Sequence, residues 1–355
     1  MNALAATQPI PASWYFDPVI TAREEKQLFA QRYVGNARLV PEIGDYHVLP
    51  DAEQGHVLVH DTAGLRVLSN VCRHRQAILL QGRGHTKHIA CPVHAWAYGL
   101  DGQLRGAPHF DEPPRLALET LPTKPWNDLL FSGPRDVTAD LGSLERPQDF
   151  GLQGFVFEKL MVETYPFNWK TFMELYLEAY HLEAGHPGFR TLCDGPRTGW
   201  QNGERFSTQY SPIARSFDRP GSIAHQRYHA AISARGRTHE YGAIWFAYLP
   251  NIMIEAYPYA RAISCVYPRG PQACLNVVEL YIDEEVARHD RGLVEAVTQV
   301  YAETASEDAA LCLRLEQGRR ALWKNQRADF GPLQMPMETG VAHFHDYLRR
   351  ELGQA

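Results

Sequence analysis

Two short segments of the chain bring a cysteine and a histidine together in the same order. One residue separates Cys72 from His74, sixteen residues follow, and two residues then separate Cys91 from His94. Thiolates and imidazoles are the side chains that bind zinc ions and iron–sulfur clusters. Four such ligands within this short stretch predict an inorganic centre.

The residues around these pairs predict two tight loops that present the ligands together. Pro92 lies inside the second pair, and Gly82 and Gly84 lie between the pairs, which favours hairpin tips over helices. Structural zinc sites usually join like ligands in each loop, whereas each loop here offers one thiolate and one imidazole. A Rieske [2Fe-2S] cluster needs that mixture, because two cysteines hold one iron and two histidines hold the other.

A second group of candidate ligands lies about ninety residues further along the chain. The segment that starts at Asn168 has a helical period, and in one continuous helix Glu174, Glu178 and His181 fall on a single stripe. One helix face is therefore expected to carry two carboxylates and an imidazole.

A second histidine follows this stripe. Gly185 is a natural helix terminator, and Pro187 disfavours the α conformation at His186, so the chain can turn His186 back toward His181. Two histidines and one carboxylate with open positions form the facial triad of non-heme iron(II) oxygenases. The segment therefore predicts an iron site.

Both segments resemble motifs of one family, the Rieske non-heme iron oxygenases. CRH at residues 72–74 and CPVHAW at residues 91–96, followed by LDGQL, are similar to its cluster-binding signature. The segment around the two later histidines is similar to its catalytic-domain motif. The resemblance implies that four residues hold a [2Fe-2S] cluster: Cys72, His74, Cys91 and His94.

The resemblance also assigns the ligands of a mononuclear Fe(II). His181 and His186 are the implied histidine ligands. In the family the carboxylate ligand comes from a late helix, and SEDAALCLRLEQGRRA at residues 306–321 is similar to that helix. It implies Asp308 as the third ligand, with Glu307 as the alternative.

Three further positions can be compared with the family pattern. Glu178 aligns with the acidic residue that links the cluster histidine of a neighbouring subunit to the iron-ligand histidine. Many members have aspartate there, and glutamate resembles the subgroup that acts on betaine-like and carnitine-like ammonium compounds. Gln76 and Ala95 depart from the pattern, because the family usually has glycine or a small residue at the first and glycine at the second.

The resemblance implies the terminal oxygenase component of a multicomponent system. Electrons would pass from NAD(P)H through a separate reductase or ferredoxin to the cluster, across a subunit boundary through Glu178, and on to the iron. There O2 is used to hydroxylate or demethylate a small organic substrate. Because this path joins neighbouring subunits, a homotrimer is implied.

Two alternatives stay open at this stage. Within the enzyme class, the chain could be a dioxygenase that hydroxylates aromatic rings. From another class, it could be an electron-transfer subunit with a cluster and no working iron site. Aromatic residues of the later strands could include a cage for an ammonium group, although we prefer to interpret them as core. They are Phe206, Tyr210, Tyr228, Trp245, Phe246, Tyr248, Tyr257 and Tyr259.

The predicted fold is of the α+β class, with a Rieske β domain and a helix-grip, START-like catalytic domain. The expected divisions are a helical segment over residues 1–38 that packs on the catalytic domain, the Rieske domain over 39–160 and the catalytic domain over 161–355. A helix is predicted over Ala22–Tyr33. Two helices that meet near residues 304–306 are predicted over Glu284–Arg327.

The strand pattern of the catalytic domain predicts one curved antiparallel sheet. Its expected strands are Arg205–Tyr210, His239–Leu249, Ile252–Tyr257, Ala262–Pro268 and Ala273–Ile282. In the cluster domain, Asp101-Gly102 predicts a hairpin turn.

Composition excludes several other classes of protein. Of the 355 residues, 45% are hydrophobic and 21% charged, as in a folded globular enzyme. The net charge of −6 and the lack of a basic run argue against nucleic-acid binding. The N-terminus lacks a charged region and an apolar core, so a signal peptide is not expected. We predict a cytoplasmic protein without a transmembrane segment.

Overall fold

The computed structural model describes residues 9–51, 53–186, 188, 192–214, 221–234, 239–327 and 331–353. The chain divides into two compact units. Residues Gln31–Ala139 form one unit, and Met1–Ala30 together with Asp140–Ala355 form the other. The start of the chain and Pro187, which entered the argument above, lie outside the described residues.

The helices and strands of the described residues follow in chain order. The helices are α1 Ser13–Phe16, α2 Pro18–Gln27, α3 Val137–Asp140, α4 Trp169–Tyr176, α5 Leu182–Gly185, α6 Ile223–Ala234, α7 Glu284–His289, α8 Arg291–Lys324 and α9 Thr339–Leu352. The strands of the smaller unit are β1 Arg32–Asn36, β2 Asp45–Val48, β3 His56–Asp61, β4 Gly64–Ser69, β5 Arg83–His85, β6 Ile89–Ala90, β7 Ala97–Tyr98, β8 Leu104–Gly106, β9 Thr120–Leu121, β10 Lys124–Trp126 and β11 Leu129–Ser132. Those of the larger unit are β12 Phe155–Tyr165, β13 Gly199–Asn202, β14 Phe206–Pro212, β15 Tyr241–Tyr248, β16 Ile252–Tyr257, β17 Ala260–Pro268 and β18 Cys274–Asp283.

The smaller unit consists of short antiparallel strands. They form sheets of order β1-β11-β10, β5-β2-β3-β4-β9 and β6-β7-β8. The predicted hairpin turn joins β7 to β8, and Gly102 has φ +82°, a left-handed conformation that glycine adopts without strain. The two predicted cluster-binding loops lie between β4 and β5 and between the paired strands β6 and β7.

The larger unit is built on one antiparallel sheet of order β12-β18-β17-β16-β15-β14-β13. This confirms the α+β class and the prediction of one antiparallel sheet. Strand β16 has the predicted bounds, and the others shift by a few residues. Helix α8 packs on the sheet through Leu293, Val297 and Val300, which share a buried cluster with Ala262 and Leu280. The space between helix and sheet is where a pocket forms.

The boundaries between the two compact units lie at other residues than the predicted domain boundaries. The boundary expected at residue 160 falls within β12, which pairs with β18 along its whole length. Hydrogen bonding of this strand to the larger sheet moves the division back to Asp140. At the other end, the division falls at Gln31 instead of residue 39, because β1 pairs with β11.

Two helix predictions were wrong in detail. The first helix runs over Pro18–Gln27, because the Asp17 carboxylate accepts the Val19 N–H at 2.8 Å and Pro18 suits the first helical position. In the later segment the chain breaks at Asp290, whose carboxylate accepts the Leu293 N–H at 3.0 Å. No break occurs near residues 304–306, and α8 is one helix of 34 residues.

The N-terminal helices belong to the larger unit through a buried ion pair. The Glu24 carboxylate on α2 accepts hydrogen bonds from Lys170 Nζ at 2.6 and 2.8 Å and from Trp169 Nε1 at 2.8 Å. Both charged side chains are fully buried. Leaving either charge alone in such a site costs about 3–5 kcal/mol, so the pair fixes α2 against α4.

Among the described residues, none of the helices combines the length and the hydropathy needed to cross a membrane.

Candidate active site

The two cluster-binding loops have the same backbone hydrogen bonds. In each loop the cysteine N–H donates to the carbonyl five residues later at 2.8 Å, and the cysteine carbonyl accepts the N–H four residues later at 3.0 Å. The fourth residue after Cys72 is Gln76 and that after Cys91 is Ala95. Their φ angles are +60° and +57°, in the left-handed region that favours glycine. Glycine is the residue that would adopt this backbone conformation without strain at both positions.

The four predicted cluster ligands lie together at the tips of these loops. Cys72 and Cys91 are buried, and the rings of His74 and His94 have centroids 4.7 Å apart. The Tyr98 hydroxyl lies 3.3 Å from Cys72 Sγ. Burial alone would raise the pKa of Cys72, but hydrogen bonds from Tyr98 and from backbone N–H groups lower it. The site thus favours a thiolate, the form that binds iron.

The histidine side of this group is the accessible side. His74 stacks on Trp96 with the ring planes 11° apart, and this contact fixes the ring. His94 is exposed, and its neighbour Val93 is 57% exposed. A cluster held here would have its cysteine-bound iron buried and its histidine-bound iron near the surface.

The second predicted site brings three ligand atoms together in the larger unit. His181 Nε2 and His186 Nε2 face each other at 3.1 Å. Asp308 Oδ1 lies 3.0 Å from His186 Nε2 and 3.5 Å from His181 Nε2. Two imidazole nitrogens and a carboxylate oxygen, all within 4.8 Å of one another, form a donor set that fits a metal ion.

Two more carboxylates hold the other ring nitrogens of these histidines. Glu178 Oε1 lies 2.6 Å from His181 Nδ1, and Glu307 Oε2 lies 2.8 Å from His186 Nδ1. Each carboxylate accepts an N–H and leaves the Nε2 lone pair for a metal. Glu307, the alternative ligand, therefore lies behind His186, whereas Asp308 lies between the two histidines.

The charges of the site favour a cation at its centre. Burial acts to lower the pKa of His181, but the carboxylates of Asp308 and Glu178 raise it to about 10. Burial acts to raise the pKa of Asp308, but its contacts with the two histidines lower it to about 2. The same pairing raises the pKa of His186. Positive charge is thus stabilised where the three ligands meet.

The helix expected to carry these residues is interrupted. Helix α4 ends at Tyr176, and the Glu178 carboxylate accepts the N–H of His181 at 2.9 Å in the turn that follows. Glu174 is therefore not on the ligand face, which corrects the single-stripe prediction. Its buried carboxylate instead accepts hydrogen bonds from Tyr15, Arg319 and His345.

A cavity of about 390 Å³ adjoins the three ligands. The sheet and α8 form its walls, and no lysine or arginine lines it among the described residues. Its lining includes Tyr165, Leu175, Tyr176, Glu178, His181, His186, Tyr228, Trp245, Glu255, Tyr257, Ser264, Asn276, Val278, Leu280, Val300, Tyr301 and Asp308. An aromatic cavity with carboxylates and without basic side chains suits a positively charged organic molecule.

Strand alternation decides which of the predicted aromatic residues reach this cavity. Trp245 and Tyr257 project into it, together with Tyr228 from α6. Phe206 and Phe246 pack elsewhere in the sheet, so the core interpretation is right for them. Glu255 was not among the predicted site residues, although a lone carboxylate in the apolar strand Ile252–Tyr257 was an available signal.

The smaller unit carries two cysteine–histidine loops that fit a [2Fe-2S] cluster. The larger unit carries two histidines and a carboxylate that fit an iron ion. Together these are the two parts of a Rieske oxygenase. Models of two families match the chain: the Rieske [2Fe-2S] domain over residues 32–123 and the catalytic domain of the ring-hydroxylating alpha subunit over residues 142–354.

Individual proteins give the same result. Putrescine 2-hydroxylase of Ralstonia nicotianae is 41% identical over 99% of this chain and 97% of its own length. Putrescine 2-hydroxylase of Bordetella bronchiseptica is 38% identical over 99% of this chain and 86% of its own. The structure of a quaternary ammonium Rieske monooxygenase of carnitine oxidation by gut microbiota shares the fold, with a TM-score of 0.78, 22% identity and coverage of 98% and 96%.

The chain therefore belongs to the family of ring-hydroxylating alpha subunits with a Rieske domain. It is the terminal oxygenase component of a Rieske system, with a [2Fe-2S] cluster domain and a non-heme iron catalytic domain. It is an oxidoreductase that uses O2 and electrons from a separate reductase to hydroxylate or demethylate a small substrate. The alternative of an electron-transfer subunit without an iron site is not supported.

Proposed function

We propose that this oxygenase hydroxylates a carbon of a small aliphatic amine, with putrescine as the first substrate to test. The observation that carries the proposal is the cavity beside the three ligands, which combines aromatic side chains with carboxylates and has no lysine or arginine among its described lining residues. The two putrescine 2-hydroxylases, which match nearly the whole chain, support the same substrate class.

Each predicted site residue has a role in this proposal. Two cysteines and two histidines hold the cluster: Cys72, His74, Cys91 and His94. His181, His186 and Asp308 hold the iron, which supplies the site for O2 activation when it is bound. Glu178 and Glu307 keep the histidine rings oriented. The aromatic walls hold the substrate and keep bulk water away from the reacting carbon.

The proposed reaction is balanced by the electrons that the reductase supplies. One C–H bond of the amine and the O–O bond of O2 break, and one C–O bond forms. With two electrons and two protons, the products are the hydroxylated amine and one water molecule. The reductase takes its electrons from NAD(P)H, so the nicotinamide does not bind to this chain.

We also propose the assembly that the family resemblance implies. In a homotrimer, Glu178 of one subunit would receive a cluster histidine of its neighbour. The contact of Glu178 with His181 Nδ1 at 2.6 Å supports this proposal, because it would link the neighbour's cluster histidine to an iron-ligand histidine. The proposed compartment is the cytoplasm, where a reductase and NAD(P)H are at hand.

Iron analysis and turnover test this function together. Purified protein should contain close to three irons per chain, two in the cluster and one at the triad. With a surrogate reductase, O2 uptake should be coupled to hydroxylated product from putrescine. The panel should include betaines, N-methyl compounds and aromatic acids. Two irons per chain, or coupled product only from an aromatic acid, would overturn the proposal.

A further inference from the structure

One buried carboxylate of the cavity has no part in the iron site. Glu255 lies on β16, is 6% exposed and lines the cavity. Tyr257 donates a hydrogen bond to its Oε2 at 2.5 Å, and Tyr301 donates one to its Oε1 at 3.3 Å. Within the part of the chain that the structure describes, it forms no ion pair with a lysine or arginine.

The hydrogen bonds around Glu255 orient the carboxylate and leave part of it free. Trp245 Nε1 donates to the Tyr257 hydroxyl at 3.0 Å, which turns the hydroxyl proton toward Glu255. A carboxylate has about four acceptor positions, so two hydroxyl donors do not saturate it. Burying a carboxylate without a cation is costly, and this chain supplies none here among its described residues. A cationic ligand in the cavity would therefore stabilise the ionised form of Glu255.

Glu255 and the three ligands line the same cavity. Tyr301, which donates to Glu255, lies on α8 seven residues before Asp308, a rise of about 10 Å along the helix. A short diamine bound at Glu255 can therefore extend through the cavity toward the three ligands.

We propose that Glu255, oriented by Tyr257 and Tyr301, binds a primary ammonium group of the substrate. This inference rests on the proposed amine hydroxylation and adds the residue that recognises the amine. Anchoring one end of the molecule also decides which carbon approaches the iron. Glu255 is thus a specificity-determining residue that binds substrate away from the reacting carbon.

The groups that face Glu255 define its pH response. Tyr176, Tyr257 and Tyr301 have pKa values raised well above the usual range by burial and by Glu255, so they stay neutral. Burial raises the pKa of Glu255 to about 7. The negative charge of Asp308 on α8 contributes to raising the pKa of Glu255. Since an ammonium ion binds the ionised form, KM for a diamine should fall as the pH rises through 7.

The variant Glu255→Gln tests the inference, with Glu279→Gln as a matched control. Glu279 is also a buried glutamate of the sheet that accepts a hydrogen bond from a tyrosine two residues later, but it does not line the cavity. The iron-loaded proteins are compared by iron content, cluster spectrum, calorimetric binding of 1,4-diaminobutane and steady-state kinetics. We expect KM and Kd of Glu255→Gln to rise about 100-fold or more. The same variant should lose the pH dependence of KM and bind 1,4-butanediol as the wild type does.

Tyr301→Phe removes one orienting hydroxyl and should raise KM about 5- to 10-fold. Glu279→Gln should match the wild type. If wild-type protein hydroxylates the diamine and Glu255→Gln keeps its KM, the inference fails and the proposed function stands. If Glu255→Gln loses binding while the wild type binds the diamine without product, the inference stands and the function fails. Wild-type protein that neither binds nor oxidises the diamine overturns both.

Discussion

At the level of single residues, the predicted iron site depends on carboxylates that do not themselves face its centre. Glu178 and Glu307 each accept a hydrogen bond from the Nδ1 of one histidine, at 2.6 and 2.8 Å. These bonds select the tautomer in which Nε2 is free to bind metal. The site therefore has a symmetric outer pair around His181 and His186.

Glu307→Gln tests this outer pair, because the amide retains the size of the side chain and removes its charge. We expect the Fe(II) affinity to fall about 10- to 100-fold with the cluster unchanged. Competition with a chelator measures the affinity, and visible absorbance measures the cluster. Glu295→Gln is the control, since that glutamate is 63% exposed on the same helix. Equal affinities in the two variants would refute the role of Glu307.

The cluster loops give a second prediction for single residues. Ala95 has φ +57°, where a residue with a Cβ atom is strained by about 1 kcal/mol. Ala95→Gly should therefore stabilise the cluster loop by about 1 kcal/mol and raise the temperature at which cluster absorbance is lost. Ala90→Gly is the control, because Ala90 is an exposed residue of strand β6 where glycine destabilises. A lower transition temperature for Ala95→Gly would contradict the argument.

At the level of helices and strands, α8 connects two groups of residues in the catalytic cavity: those around Glu255 and the three predicted iron ligands. The same helix packs on the sheet through Val297, places Tyr301 beside Glu255 and places Asp308 beside the histidines. Because these positions lie on one continuous helix, their spacing is fixed by helical geometry. A break between them would separate substrate binding from the metal ligands.

Ala310→Pro tests the continuity of α8. Ala310 is exposed, and proline there removes a helical hydrogen bond and clashes with the preceding turn, at a cost of about 3 kcal/mol or more. We expect the iron content to fall toward two per chain while cluster absorbance persists, because the cluster loops lie in the other compact unit. Ala310→Gly costs only about 1 kcal/mol and should retain the third iron. Three irons in the proline variant would show that the ligand position tolerates a helix break.

At the scale of the whole molecule, the proposed homotrimer makes each active site depend on two chains. The exposed His94 is the side of the cluster that can approach another molecule, and Glu178 is its proposed acceptor. A closed ring of identical contacts would give every iron site one neighbouring cluster.

Complementation tests this dependence. Cys91→Ala removes the cluster and Asp308→Ala removes the iron, so each variant alone should be inactive. Co-expressed in equal amounts, they should recover about a quarter of wild-type activity. Half of the chains keep the cluster and half keep the iron site, so about a quarter of the contacts in a cyclic trimer place an intact cluster beside an intact iron site. Light scattering measures the assembly. Failure to recover activity from mixed trimers would mean that electrons pass within one chain.

The family, the α+β fold and the candidate ligands could be predicted from the amino-acid sequence, because they depend on residue types at short spacing. Cys72 and His74 are two positions apart, and Cys91 and His94 are three positions apart. At such short spacing the conformation of a single loop determines where both ligands point. The approximate positions of five strands followed from their aromatic and β-branched composition, which is also a local property. The assignment of particular residues to the cluster and the iron stays a prediction.

Contacts between residues that are far apart in the sequence required the three-dimensional structure. Glu174 and Glu178 are four residues apart, yet the chain turns between them, so one enters a buried network with Tyr15 and the other holds His181. Glu255 meets Tyr301 across 46 positions of sequence. Such contacts depend on strand register and on how α8 lies over the sheet. Those are set by packing of the whole core, which no local pattern of residues records.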